Sequence, residues 1–163
     1  MRRLLIALAI AVAVVVIALY LAPQRSVDDL YVRSDGGEGG VTVQATYLTE
    51  QYLRAKGREE EISRYQLDRY IAFNISMDTH SGDLRKNDLK RDVVLRNDKG
   101  ITVSALSWEP LSDDAHHLSG VMKFPKQGSD GKPIIGDDTR YLELVVYNIA
   151  GVKERVLRWE LAR

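Results

Sequence analysis

A chain whose residues 4–22 carry no charge and no proline has one of its elements decided before any other is considered. Tyr20 is the one polar-tipped side chain in that run. Its nineteen residues, at 1.5 Å each, make about 28 Å of helix, the thickness of a bilayer's hydrocarbon core. A helix that is apolar on every side has no solvated face and belongs in lipid. Arg2 and Arg3 precede the run, and the positive-inside rule holds that end in the cytoplasm. The expectation is a single-pass cell-membrane protein with a cytoplasmic N-terminus. Residues 4–22 contact the membrane, residues 1–22 form the anchor, and the C-terminal part is extracytoplasmic. A cleaved signal peptide fits less well. The run is long for such a segment, and Tyr20-Leu21-Ala22-Pro23 offers no small-x-small site.

The remainder has to fold without staples, because the chain has no cysteine. That also excludes a lipoprotein-type anchor. With Arg2 and Arg3 set aside, 21 basic residues face 23 acidic ones, a formal charge of −2. Nucleic acid demands a basic face, so it is excluded as a partner. Residues 23–40 read as a flexible stalk, since Gly36-Gly37-Glu38-Gly39-Gly40 puts four glycines in five positions. Residues 41–163 are then one extracytoplasmic domain, long enough for a single apolar core.

Beyond residue 40 the hydrophobic period is two. Val41, Val43, Ala45 and Tyr47 alternate with polar residues, and so do Ile71, Phe73, Ile75 and Met77. Residues 89–96 form a third run, with Leu89, Val93 and Leu95 in register. Asn97-Asp98-Lys99-Gly100 is turn chemistry, and Ile101, Val103 and Ala105 follow it, which predicts a hairpin. Further strands are expected over residues 117–124, 141–148 and 154–161, the last with Leu157, Trp159 and Leu161 inward. A helical turn or two is expected around residues 58–65, packed across the sandwich edge, with Gly57 preventing one continuous helix. Residues 126–138 hold three glycines and Pro133 and read as a loop. The fold class is therefore all-β: a seven-stranded antiparallel Ig-like β-sandwich preceded by one transmembrane helix. The Cys pair around a Trp that marks true immunoglobulin domains is absent, so "Ig-like" describes architecture only.

Candidate chemistry centres on three histidines near strand ends: His80, His116 and His117. Neutral imidazole is the commonest metal ligand, and carboxylates often complete such a site. If the two turns share one end of the sandwich, His80, one of His116 and His117, and Asp78 or Asp83 converge. Neighbours on a strand face opposite ways, so only one of His116 and His117 joins. The plainer reading is that these histidines orient loops through backbone bonds. Trp108, before Glu109-Pro110, either lines a binding groove or is a structural anchor. Nucleophilic catalysis is unsupported, with no Cys and no Gly-x-Ser-x-Gly. Met77 and Trp159 are assigned to the core.

Thr79-His80-Ser81-Gly82-Asp83-Leu84, Leu95-Arg96-Asn97-Asp98-Lys99-Gly100, Trp108, and the segment His116-His117-Leu118-Ser119-Gly120-Val121-Met122-Lys123-Phe124-Pro125 together resemble an uncharacterised group of small, membrane-anchored, extracytoplasmic β-sandwich proteins of prokaryotes. The resemblance spans about residues 41–161. It implies the fold and the compartment, no activity, and a joint role for His80 with the His116-His117 pair. Two functions are expected. One is a non-enzymatic module, requiring no cofactor, that binds an envelope protein partner or supports an envelope complex. The other is a metal-binding envelope protein, holding a divalent transition metal on His80 and His116 or His117 with Asp78 or Asp83.

Overall fold

Strands with one apolar face each are satisfied by packing two sheets face to face, and this chain does so. The computed structural model describes residues 26–161. The anchor expected at residues 4–22 lies outside them, and among the described residues no helix is long and apolar enough to cross a membrane. In chain order the elements are α1 (Val27–Tyr31), β1 (Val32–Ser34), a 3₁₀ turn (Glu38–Gly40), β2 (Val41–Leu48), α2 (Glu50–Ala55), α3 (Glu60–Tyr65) and β3 (Tyr70–Thr79). A second 3₁₀ turn (Leu84–Lys86), α4 (Leu89–Asp92), β4 (Val93–Asn97), β5 (Thr102–Ser104), β6 (Ser107–Asp113), β7 (His117–Pro125), β8 (Tyr141–Ile149) and β9 (Val152–Glu160) follow. One antiparallel sheet has the order β1-β2-β3-β7-β6, the other β5-β4-β8-β9.

The inward residues are those the alternation predicts. Val43, Ala45, Phe73, Ile75, Met77, Leu142, Leu144 and Val146 are fully buried between the sheets. Trp159 is 1% exposed, lies 5.0 Å from the Phe73 ring, and donates its indole N–H to the Tyr31 carbonyl at 2.7 Å. Its apolar body sits in the core and its one polar atom is satisfied, the usual requirement for a buried indole. Tyr47 stacks on Phe73 at 5.0 Å, and burial pushes its phenol up to about 12.

Several expectations are corrected. The described residues hold nine strands rather than seven. One of the additional two, β1, lies in the expected stalk: from Ser26 onward that segment is folded. Ser26 caps α1, its Oγ accepting from Asp29 N and its own N–H donating to Asp29, and β1 pairs with β2 from Val32↔Thr46. The other is β6, which Pro110 and a bulge between Pro110 and Ser112 confine to a sheet edge. Residues 89–92, expected as strand, form the helical turn α4, capped by Asp88. Between Thr49 and Tyr70 there are two helices, α2 and α3, separated at Gly57 (φ +66°). They do not cross the sandwich edge. They cover the outer face of the five-stranded sheet, burying Tyr52, Leu53, Tyr65 and Leu67 against Leu48, Ala72 and Val121.

Two buried ionic clusters lock this arrangement. Arg155 occupies an inward position of β9 and is 4% exposed. It pairs with the Asp35 carboxylate and donates to the carbonyls of Glu38 (2.6 Å), Val41 (3.2 Å) and Ile149 (3.3 Å). Asp35 in turn accepts from the backbone N–H groups of Gly37 and Val43. The chain there passes so close to the β8–β9 turn that a Cβ on Gly39 (φ +65°) would lie 2.5 Å from the Ala150 carbonyl oxygen. On the outer face of the other sheet, Glu143 lies between Arg96 and Arg158, which share its cross-strand register. Burial raises the Glu143 carboxyl, but the bonds from Arg158 and Arg96 outweigh it and hold the group below its ordinary value.

Replacing Trp159 by Ala removes a buried ring and leaves the Tyr31 carbonyl without its donor, so a loss of about 3–5 kcal/mol is expected in urea unfolding. A smaller loss is expected for Trp159→Phe, which keeps a ring. Asp35→Ala leaves the Arg155 charge buried and unpaired and is expected to cost about 3–5 kcal/mol. Restoring stability in the double variant Asp35→Ala, Arg155→Met would confirm that the stranded charge, rather than the loop, is responsible.

Candidate functional site

The strand registers define two ends of the sandwich. At one, Val41 faces Thr79 and His117 faces Asp78; at the other, Leu48 faces Ala72 and Pro125 faces Tyr70. All three histidines lie at the Thr79 end. β3 and β7 are hydrogen-bonded neighbours, so Asp78 and His117, 39 positions apart in sequence, meet as one cross-strand pair. His117 Nδ1 lies 2.7 Å from Asp78 Oδ1, with both side chains largely exposed. Toward an ionised carboxylate Nδ1 must carry a proton, so in the neutral form of the ring Nε2 is the lone-pair atom. Ser76 Oγ donates to the other Asp78 oxygen at 3.3 Å, and Ser112 Oγ donates to the His117 carbonyl at 3.1 Å. These two hydroxyls are therefore bonded to atoms other than the imidazole.

Of the other expected ligands, Asp83 is engaged by a neighbour of its own. Asp83 is held by Arg85 through two side-chain bonds of 2.9 Å and caps the following turn by accepting from Arg85 N. The Arg85 guanidinium draws the Asp83 carboxyl down to about 2. His116 is exposed, and its backbone N–H donates to Asp114 while its carbonyl accepts from Thr79 N. His80 is exposed at the end of β3, where Thr79 Oγ1 ties the turn to the Gly40 and Ser81 carbonyls. Among the described residues no group of three or more His, Asp or Glu side chains is set to hold a metal ion. Asp78 and His117 are brought together; Asp83 is bound to Arg85 instead.

Trp108 lies half-buried on the edge strand β6 and packs against the inter-sheet core. Its ring fills the space over Gly120, where a Cβ would lie 2.7 Å from two ring carbons. It also borders a groove of about 270 Å³ with Arg85, Leu89, Pro110 and Leu118. The structural role and the groove-lining role are thus held by one side chain.

Asp35 and Arg155 are not among the residues expected from the sequence. Arg155 does carry a signal: it shares the inward phase of Leu157, Trp159 and Leu161, and a charge in a core phase needs a buried partner. No protein-family model, curated protein or solved structure matches this chain.

The Asp83–Arg85 pair predicts a pH signature. A carboxyl lowered in the folded state contributes stability above its unfolded value and loses it as pH falls toward about 2. NMR titration of the side-chain carboxyl should give a midpoint near 2 in the parent. In Arg85→Ala the midpoint should rise toward the ordinary Asp value of about 3.9.

Proposed function

We propose that this chain is a membrane-tethered extracytoplasmic β-sandwich module, non-enzymatic, that presents its Thr79 end to an envelope protein partner. The observation that carries the reading is the position of α1. Val32, directly after α1, pairs with Thr46 near the Leu48 end of β2, and Asp28 is tied to Lys56 beyond α2 at 2.7 Å. The chain therefore comes into the domain at the end opposite His80, His116 and His117. With residues 4–22 in a bilayer, the histidine end points away from the membrane, where a partner reaches it.

The chemistry at that end suits recognition better than turnover. Among the described residues no hydroxyl is hydrogen-bonded to the His117 imidazole, and a general base needs a proton to take within hydrogen-bond reach. Exposed Asp, His and Arg side chains on short, well-tied turns form the polar rim typical of a protein contact. The resemblance to membrane-anchored extracytoplasmic proteins agrees with this arrangement.

Because the chain has no cysteine, one introduced at Ser81 is unique. In spheroplasts, a membrane-impermeant maleimide should label Ser81→Cys in the full chain without permeabilisation. Labelling that requires permeabilisation would overturn the topology. A metal-binding function would replace this one if Zn²⁺ raised the melting temperature of the parent and the gain vanished separately in His80→Ala and His117→Ala.

A further inference from the structure

The outer face of the five-stranded sheet is divided in two. Its Leu48 half is covered by α2 and α3, and its Thr79 half is open. Where the two halves meet there is a recess of about 410 Å³, lined by Asp28, Val32, Gln44, Thr46, Tyr52, Asn74 and Ser76. Its floor is regular. Gln44 pairs with Ser76, and Thr46 pairs with Asn74, on adjacent strands. Cross-strand neighbours are about 5 Å apart and alternate residues of a strand about 7 Å apart, so two amides and two hydroxyls occupy the corners of one rectangle. Each row also continues onto β7, where Ser119 faces Ser76 and Val121 faces Asn74.

We infer that this recess is a binding site for a neutral, polyhydroxylated ligand, a segment of an uncharged glycan. The lining and such a ligand match in chemistry. An anion site presents donors alone, and a cation site presents acceptors alone. Amide and hydroxyl side chains do both, and so do sugar hydroxyls. No charged side chain stands on the floor. At the wall, Asp28 is neutralised by Lys56 at 2.7 Å and accepts from Tyr52 Oη at 3.2 Å, so its oxygens act as acceptors in a compensated pair. Val32 and Tyr52 give the recess apolar borders against which the C–H faces of a sugar ring can rest.

The floor is also uncommitted. Ser76 Oγ bonds Asp78, but among the described residues the Gln44 and Asn74 amides and the Thr46 hydroxyl engage no other protein group. Three amides and hydroxyls in less open positions are tied down: half-buried Asn87 to Leu84, buried Asn97 to Ile134, and buried Thr79 to Gly40 and Ser81. Three unpartnered groups side by side in one concavity leave their hydrogen bonds to whatever fills it. Ser76 links this recess to the Asp78–His117 pair, and the site does not depend on the tether.

The test uses the full chain in a sugar-free polyoxyethylene detergent. Short oligomers of β-glucan, mannan and N-acetylglucosamine, and a sulfated oligosaccharide as polyanion control, are titrated while backbone amide resonances are followed. At least one neutral oligomer should bind saturably and shift Gln44, Thr46, Asn74 and Ser76. Gln44→Ala and Asn74→Ala should each weaken it about tenfold, the loss of one good hydrogen bond, with the melting temperature unchanged. Thr102→Ala, on β5 of the other sheet, should bind as the parent does. The site is wrong if no neutral oligomer binds at about 10 mM, if binding is unaffected in both floor variants, or if only the sulfated oligomer shifts these residues.

Discussion

The buried pair of Asp35 and Arg155 is the contact on which the rest of the architecture leans. Arg155 belongs to the second sheet, and every carbonyl it reaches except that of Ile149 belongs to the segment that leads into the first. A guanidinium at 4% exposure is costly to desolvate, and the cost is met by placing one carboxylate and three carbonyls around it. Its Nε alone is left unbonded among the described residues. Asp35 sits where β1 stops and β2 begins, bonding Gly37 and Val43 across that junction. Glu143 plays a comparable part on the opposite face, binding three strands of the second sheet through Arg96 and Arg158. The domain is therefore an apolar sandwich with an ionic clasp at one lateral opening and an ionic ladder across one outer face.

Much of this was legible in the sequence. Alternation located β2, β3, β5, β7, β8 and β9 and assigned Met77 and Trp159 to the core, because a half-buried strand must repeat every two residues. It failed where another rule gives the same spacing. Leu89 and Val93 are four apart, which suits both a strand face and one face of a helix. Asp88, bonding Arg91 N, decides for the helix over residues 89–92. β6 was missed because Pro110, Leu111 and Ser112 carry no alternating pattern and only Trp108 is drawn inward. The glycines of residues 36–40 have a linker's composition, whereas Gly37, Gly39 and Gly40 take positive φ in a segment held by Arg155.

The candidate site was readable in parts. Residue type marked out the histidines, and strand ends placed them at one end of the domain. That Asp78 would meet His117 and Asp83 would not depended on the β3–β7 register, which no local pattern encodes. The recess over Gln44 and Asn74 was invisible for a similar reason. Each residue looks like an ordinary solvent-facing position of its own strand, and only the pairing with a neighbour and the wall supplied by Asp28 and Tyr52 make a concavity of them.

The shape of β6 has one more consequence. A sheet that ends in an exposed strand offers its free backbone groups to any other chain, and two copies of a protein on the same surface meet often. Pro110 withholds a donor at the middle of that border, and the irregularity at Leu111 breaks its spacing. Arg33 of β1 occupies the carbonyl of Arg158 on β9, the edge of the other sheet, at 2.7 Å. At β6 and at β9 the free backbone is thus a poor template for seeding a shared, growing sheet.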